Sequence, residues 1–106
     1  MNLSITARGY KAPDRLKKYI ADKLDRKKRV YEEVIDTEVI LSYEKQTQVA
    51  EFKVKLNSKM VIVKEKSDDI FKSIDMALDN TERQIKRYKE RRRDHANKKI
   101  IDNLVV

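Results

Sequence analysis

The stretch QVAEFKVKLNSKMVIVKEK, Gln48–Lys66, decides the fold. Its first half alternates strictly, so that Ala50, Phe52, Val54 and Leu56 share one face while mostly charged residues share the other. Because successive side chains of a strand point to opposite faces, this alternation predicts a half-buried strand. Such a strand belongs to a sheet with one face on a core and one face in water.

The second half of the stretch predicts a strand that returns along the first. Asn57–Ser58 suits a two-residue hairpin turn, since asparagine tolerates a positive φ. In the segment that follows, Met60 and Ile62 compete with Val61 and Val63 for the buried face. The residues alone leave this choice open, but an antiparallel hairpin is expected in either case.

Two more strands are predicted on the N-terminal side of this hairpin. LSITARG, near the start of the chain, alternates until Gly9 interrupts it, and DTEVILSYEK (Asp36–Lys45) is rich in β-branched residues. The residues expected to face the core are Leu3, Ile5 and Ala7 in the first of these strands, and Val39, Leu41 and Tyr43 in the second.

Two helices complete the pattern. The first is expected to begin at Pro13 and Asp14, residue types that suit a helix N-terminus, and its apolar stripe extends to Val34. The second follows the N-cap candidates Ser67–Asp69, and its stripe ends at Tyr88. The stripes consist of Leu16, Tyr19, Ile20, Leu24, Tyr31 and Val34 in the first helix, and of Ile70, Ile74, Ala77, Leu78, Thr81, Ile85 and Tyr88 in the second.

The order β-α-β-β-β-α predicts an α+β fold with both helices on one face of a four-stranded mixed sheet. The first helix should join two parallel strands, and hairpins should join the others. After the first strand, this order is that of double-stranded-RNA-binding domains. We assign residues 1–95 to one domain and residues 96–106 to a C-terminal tail that either docks on a partner or is disordered.

Composition argues against most catalytic and metal chemistry. The chain has no cysteine, its one glycine cannot form a phosphate-binding loop, and His95 has no second ligand nearby at metal-binding spacing. We therefore expect no enzyme, no cofactor, no metal and no small-molecule substrate. We see neither a secretory signal nor an apolar run long enough to span a membrane, so we expect a cytoplasmic protein.

Charge is the strongest functional signal. The formal net charge is +8, and two basic segments, Arg15–Arg29 and Arg83–Lys99, contain few acids. One interpretation is two solvated helix faces; the other is an anion-binding surface. The second is favoured because a helix continuing past Tyr88 is charged on all sides, which is unfavourable without a neutralising anion. A membrane surface fits less well, because the apolar stripe of the second helix is already committed to the core.

Four segments in order carry a resemblance to a known family: MNLSIT, LKKYIADKL, VILSYEK and DDIFKSIDMALDNTERQIKRYKERRRDH. Over Met1–His95 the chain resembles the short ribosome hibernation-promoting factors, also known as the protein Y, ribosome-associated translation inhibitor or sigma-54 modulation protein family. The resemblance implies a factor that binds 16S rRNA in the decoding region of the small (30S) subunit within 70S ribosomes. It would block mRNA and A- and P-site tRNA sterically in stationary phase or stress. A generic double-stranded RNA- or DNA-binding module is the alternative.

The resemblance also assigns candidate rRNA contacts. Matching positions are Lys23, Arg83, Gln84, Arg87, Lys89, Arg91 and Arg93. Charge and predicted helical position alone add Arg26, Lys28, Arg29 and Lys86, and Arg92 joins them where the apolar stripe would have continued. The chain departs from the family pattern at Lys27, where an apolar helix residue is usual, and at Asn57–Ser58, which replaces a glycine-rich turn.

Overall fold

A four-stranded mixed sheet carries two helices on one of its faces. The structure is a computed structural model that describes the backbone of residues 1–105 and the side chains of residues 1–93. Its elements are β1 (Asn2–Ala7), α1 (Asp14–Asp25), β2 (Asp36–Glu44), β3 (Thr47–Lys55), β4 (Met60–Ser67) and α2 (Ile70–Val105). The strands lie in the order β1-β2-β3-β4; β1 and β2 are parallel and the other pairs are antiparallel. The predicted fold class is confirmed.

The core lies between the sheet and the helices. One row of partners crosses all four strands, with Ile5 beside Val39, Val39 beside Phe52 and Phe52 beside Val63. Phe52 is fully buried and is among the largest side chains of the core. Burying a side chain of this kind contributes about 1.5–3 kcal/mol to stability. From the helices, the fully buried residues include Ile20, Ile74, Ala77 and Ile85.

The central hairpin forms as predicted. Leu56 N donates to Lys59 O over 2.8 Å across the Asn57–Ser58 turn. Val61 and Val63 take the buried face, which settles the choice that the sequence left open; Met60 and Ile62 lie on the open face and are 50% and 60% exposed.

A positive φ occurs in a different turn from the one expected. Asparagine was expected to use this conformation at Asn57. Among the described residues, the non-glycine residue with positive φ is instead Lys45, at 58°, between β2 and β3.

The open face of the sheet is less polar than expected. Ile40 and Val49 point to this face and are nevertheless buried. Both lie in the central strands, so each has cross-strand neighbours on both sides: Thr6 and Glu51 beside Ile40 on β2, for example. Long polar side chains on neighbouring strands can cover apolar ones with their aliphatic parts.

The first helix is shorter than its stripe predicted. It ends at Asp25, and residues 26–35, called the connection here, run through turns to β2. Tyr31 and Val34 are buried as expected, but from this connection. The helix ends here because no apolar residue lies between Leu24 and Val30, so a further turn would bury nothing. Arg26, Lys28 and Arg29 therefore lie in the connection and not on a helix, contrary to our prediction.

The second helix is capped as predicted. Asp69 Oδ1 accepts a hydrogen bond from Phe71 N at 2.8 Å, and Ser67 Oγ contacts the backbone of Asp69. A side-chain acceptor at this position satisfies one of the free N–H groups that begin a helix. The helix extends to Val105. The predictions for the His95 side chain and for the tail at 96–106 fall outside the described side chains and stay predictions.

Candidate nucleic-acid interface

The middle of α2 and the connection meet at one end of the domain, called the basic end here and defined by residues 26–35 and 83–93. Lys89 Nζ donates to Arg29 O at 2.9 Å and lies 3.9 Å from a Glu32 carboxylate oxygen. Arg92 pairs with Glu33. The folded chain thus brings the end of the first basic segment into contact with the second one.

Tyr88 anchors this surface to the sheet. Its hydroxyl is 3.0 Å from Ser58 Oγ in the β3–β4 turn, and the Arg92 guanidinium lies 5.7 Å from the centre of its ring. The sequence predicted that the fold would no longer account for the charges beyond Tyr88. That prediction was wrong for Lys89 and Arg92, because the glutamates of the connection compensate both. The signal was present in the sequence: Glu32 and Glu33 directly follow the basic run.

Three arginines form a row on the outer side of α2. Arg83, Arg87 and Arg91 are spaced at i, i+4 and i+8, so they lie on one side of the helix, and all three are exposed. Within residues 1–93 none of them makes an ion pair. Like charges at this spacing destabilise a helix by about 0.2–0.5 kcal/mol per pair, so an anion bound along the row would relieve repulsion.

Glu82 neutralises part of the adjacent surface. Its carboxylate is 3.0 Å from Lys86 Nζ and 3.4 Å from Lys27 Nζ, and its side chain is 16% exposed. Burial acts to raise the pKa of Glu82, but the two ammonium groups outweigh it and hold the pKa below its ordinary value. Lys27 thus reaches from the connection to α2, where an apolar residue would have packed in the family pattern.

Lys23 lies on α1 next to the basic end, in a groove that Lys27 and Tyr31 of the connection also line. This groove of about 250 Å³ runs between α1 and α2, where Asp75, Asp79 and Glu82 also lie. The Lys23 ammonium group is 5.3 Å from the centre of the Tyr19 ring. The groove is therefore mixed in charge.

The structure places the predicted site residues as follows. Exposed are Arg26, Lys28, Arg29, Arg83, Lys86, Arg87, Arg91, Arg92 and Arg93; half-buried are Lys23, Gln84 and Lys89. All but Lys23 belong to the basic end. Their contacts with RNA stay a prediction.

In the part of the chain that the structure describes, no group of histidine and carboxylate side chains could hold a metal ion. Over the same residues, no helix is long and apolar enough to cross a bilayer.

The fold and the basic end are those of a small α+β domain suited to a polyanion. The sequence model of one family, described as "Sigma 54 modulation protein / S30EA ribosomal protein", matches residues 3–93, and the chain belongs to this family. This confirms the resemblance seen in the sequence. The family consists of ribosome-binding proteins that are not enzymes, which also confirms that expectation.

Curated relatives carry a common name. The chain is 25% identical over 91 residues to the ribosome hibernation promoting factor of Azotobacter vinelandii, covering 86% of this chain and 85% of that protein. It is 23% identical over 95 residues to the factor of the same name from Salmonella typhimurium, covering 90% of this chain and all of that protein.

Solved structures share the fold. The N-terminal domain of Thermus thermophilus Protein Y superposes with a TM-score of 0.74 at 32% identity, covering 83% of this chain and 99% of that one. A ribosomal subunit interface protein from Coxiella burnetii gives a TM-score of 0.81 at 24% identity, covering 85% and 99%, and at this identity shows the fold alone.

Proposed function

We propose that this protein is a cytoplasmic ribosome hibernation factor that binds 16S rRNA in the decoding region of the 30S subunit within 70S ribosomes. It occupies the channel of mRNA and of the A- and P-site tRNAs and inhibits translation in stationary phase or stress. The observation that carries this proposal is the exposed row Arg83–Arg87–Arg91 at the basic end, in a chain of this family.

Binding and inhibition follow from charge and shape without a chemical step. The row presents guanidinium groups, which bind phosphate oxygens through paired N–H donors. Lys28 and Arg29 add charge from the connection, and the Lys89 and Arg92 contacts to the connection hold the two segments together. A rigid, positively charged end of this kind fits an RNA-lined channel, and its bulk excludes other occupants.

The test is sedimentation of cell extract from stationary phase with the small subunit tracked. Wild-type protein is expected to co-sediment with ribosomes at moderate salt, and Arg83→Ala/Arg87→Ala/Arg91→Ala is expected to remain largely in the supernatant. A matched control, Lys53→Ala/Lys55→Ala/Lys64→Ala, removes the same number of charges from the sheet and should bind as wild type does. Wild type in the supernatant would refute the proposal, and binding by the arginine variant would refute the site.

A generic double-stranded RNA- or DNA-binding module is distinguished by competition. For a hibernation factor, an excess of naked duplex should displace little protein from ribosomes. Displacement by duplex at equal phosphate concentration would favour the generic module. In vitro translation of an mRNA, with and without the added protein, then tests inhibition directly.

A further inference from the structure

At the other end of the domain, an exposed and a half-buried tyrosine ring lie near a second group of basic residues. Tyr43 was expected in the core with Val39 and Leu41, but it is 51% exposed. The Tyr10 ring packs beside it, with centroids 5.9 Å apart and ring planes at 44°. Tyr10 itself is half-buried and rests against the core.

The backbone holds this tyrosine pair in place. Gly9 has φ +85°, and a Cβ there would lie 3.2 Å from Tyr43 Oη. The loop between β1 and α1 therefore lies directly against the Tyr43 ring. Arg8 N donates to Leu41 O at 2.8 Å, which extends the β1–β2 pairing up to this loop. The loop and the two rings thus lie against one another.

Basic residues lie on the same segments as the two rings. Lys11 and Lys17 share a shallow surface groove with Tyr10. Arg8 precedes the loop and Lys45 follows β2, and both are exposed. Among the described residues, none of these four cations makes an ion pair.

Glu44, the acidic residue of β2 that is nearest to Lys45 in sequence, already pairs with two lysines. Glu44 lies 2.9 Å from Lys66 Nζ and 3.8 Å from Lys64 Nζ, and these lysines hold its pKa below the ordinary value. It is thus compensated by β4 and leaves Lys45 and Arg8 without a carboxylate partner there.

This second group is remote from the basic end. Tyr43 is opposite Gln48 at the start of β3, whereas Tyr88 contacts the turn that follows Leu56 at the end of that strand. At about 3.3 Å per residue, the strand separates the two ends by roughly 25 Å. No local sequence pattern reveals this group, because its members come from three separate segments.

We propose that Tyr10 and Tyr43, with Lys11 and Lys45, form a second RNA site that takes one or two unpaired nucleotides. Aromatic side chains beside unpaired cations are the combination that binds single strands, because bases stack on the rings and phosphates meet the charges. A regular duplex has its base faces stacked on one another and offers none to the rings. The inference rests on the proposed function for RNA as the polyanion and adds a single-stranded contact at the opposite end.

The experiment uses the full chain with Arg83→Ala/Arg87→Ala/Arg91→Ala, so that binding at the basic end is removed. Its ¹⁵N-labelled amide spectrum is recorded during titration with a single-stranded oligouridine, and separately with an RNA duplex of equal length. Shifts are expected at Gly9, Tyr10, Lys11 and Lys45 with the single strand and not with the duplex. Shifts confined to other residues, or larger with the duplex, overturn the proposal.

Two variants in the same background sharpen the result. Tyr10→Leu/Tyr43→Leu should weaken oligouridine binding about tenfold or more, since stacking contributes about 1–3 kcal/mol per base. Lys53→Gln/Lys55→Gln, on the open face, should bind as the background does. The amide spectrum of each variant verifies that it is folded. Unchanged binding by a folded tyrosine variant overturns the proposal.

The outcomes of this experiment can be distinguished from those of the sedimentation test of the proposed function. Oligouridine binding at Tyr10 and Tyr43 together with failure of wild type to sediment with ribosomes would retain this site and reject hibernation. Sedimentation with ribosomes but no shift at Gly9–Lys11 would do the reverse.

Discussion

Arg92 on α2 pairs with Glu33 in the connection, although the two residues are far apart in sequence. Glu33 and the ring of Tyr88 together fix the Arg92 guanidinium, and the pairing raises the pKa of Arg92. Arg92 therefore differs from Arg83, Arg87 and Arg91, whose charges have no partner within residues 1–93. Arg92 is thus held by contacts within the protein, whereas the side chains of the other three arginines are unpaired within residues 1–93.

This division predicts unequal effects of single substitutions on ribosome binding. Arg87→Ala should raise the Kd for ribosomes several-fold, because the side chain is exposed and free to contact phosphate. Arg92→Ala should raise it less, since an RNA phosphate must compete with Glu33 for that guanidinium. Filter binding at one fixed salt concentration measures both. Equal losses would contradict the division.

Salt dependence should report the number of phosphate contacts at the basic end. Each contact releases counterions, so the slope of log K against log salt changes by about 0.7–0.9 per contact. Arg83→Ala/Arg87→Ala/Arg91→Ala should therefore flatten the slope by roughly 2–3. The Lys53→Ala/Lys55→Ala/Lys64→Ala control should keep the wild-type slope. A weakened variant with an unchanged slope would mean that these arginines act through structure and not through phosphate contact.

Gly9→Ala should destabilise the fold by about 1–2 kcal/mol, because φ is +85° there and L-residues with a side chain disfavour this conformation. The new Cβ would also lie within 3.2 Å of Tyr43 Oη. Urea unfolding measures the loss. Adding Tyr43→Phe removes the contact to oxygen but not the backbone strain, so it should recover only part of the loss. If the Gly9→Ala variant were as stable as wild type, that result would contradict the positive φ at this position.

The contribution of Tyr19 to stability should depend on pH, because the folded state stabilises the neutral form of its hydroxyl. Its Oη donates to Asp75 Oδ1 at 2.6 Å, and this bond, with burial, raises the pKa of Tyr19 to about 12 from 10.0. A pKa raised in the folded state means that the bond's contribution is complete below about pH 10 and is lost as the pH rises through 12.

The matched variant is Tyr19→Phe, which keeps a ring beside Phe71 and removes the donor. At neutral pH it should be less stable by about 0.5–1.5 kcal/mol. In urea unfolding the gap to wild type should narrow as the pH rises from about 10 to about 12. A gap that stays constant over this range would show that the hydrogen bond does not stabilise the fold.

The fold followed largely from local patterns. Alternation in Gln48–Lys66 predicts a hairpin because burying every second residue is a property of one strand at a time. Even the choice of Val61 and Val63 over Met60 and Ile62 was available: a two-residue turn at Asn57–Ser58 places Val63 opposite Phe52 and Ile62 opposite Lys53. Residues directly opposite each other point to the same face.

The candidate site was only half predictable. The excess of basic residues on α2 was visible, and so was its separation from the apolar stripe that ends at Tyr88. The end of α1 was misjudged because Tyr31 continues the helical spacing although it reaches the core from a turn. The alternation along β2 places Tyr43 on the same face as Val39 and Leu41, and therefore predicts that Tyr43 is buried. The alternation does not show how far along the strand the helices cover that face.

The sequence by itself determined the order of elements, the buried faces and the excess of positive charge, because these depend on residue types and their spacing. Only the tertiary structure decided which of the cations are free. Lys89 and Arg92 are compensated by Glu32 and Glu33, while within residues 1–93 the arginine row has no such partner. The physical reason is that electrostatic interaction falls off with distance through space, and folding sets those distances between segments that are remote in sequence.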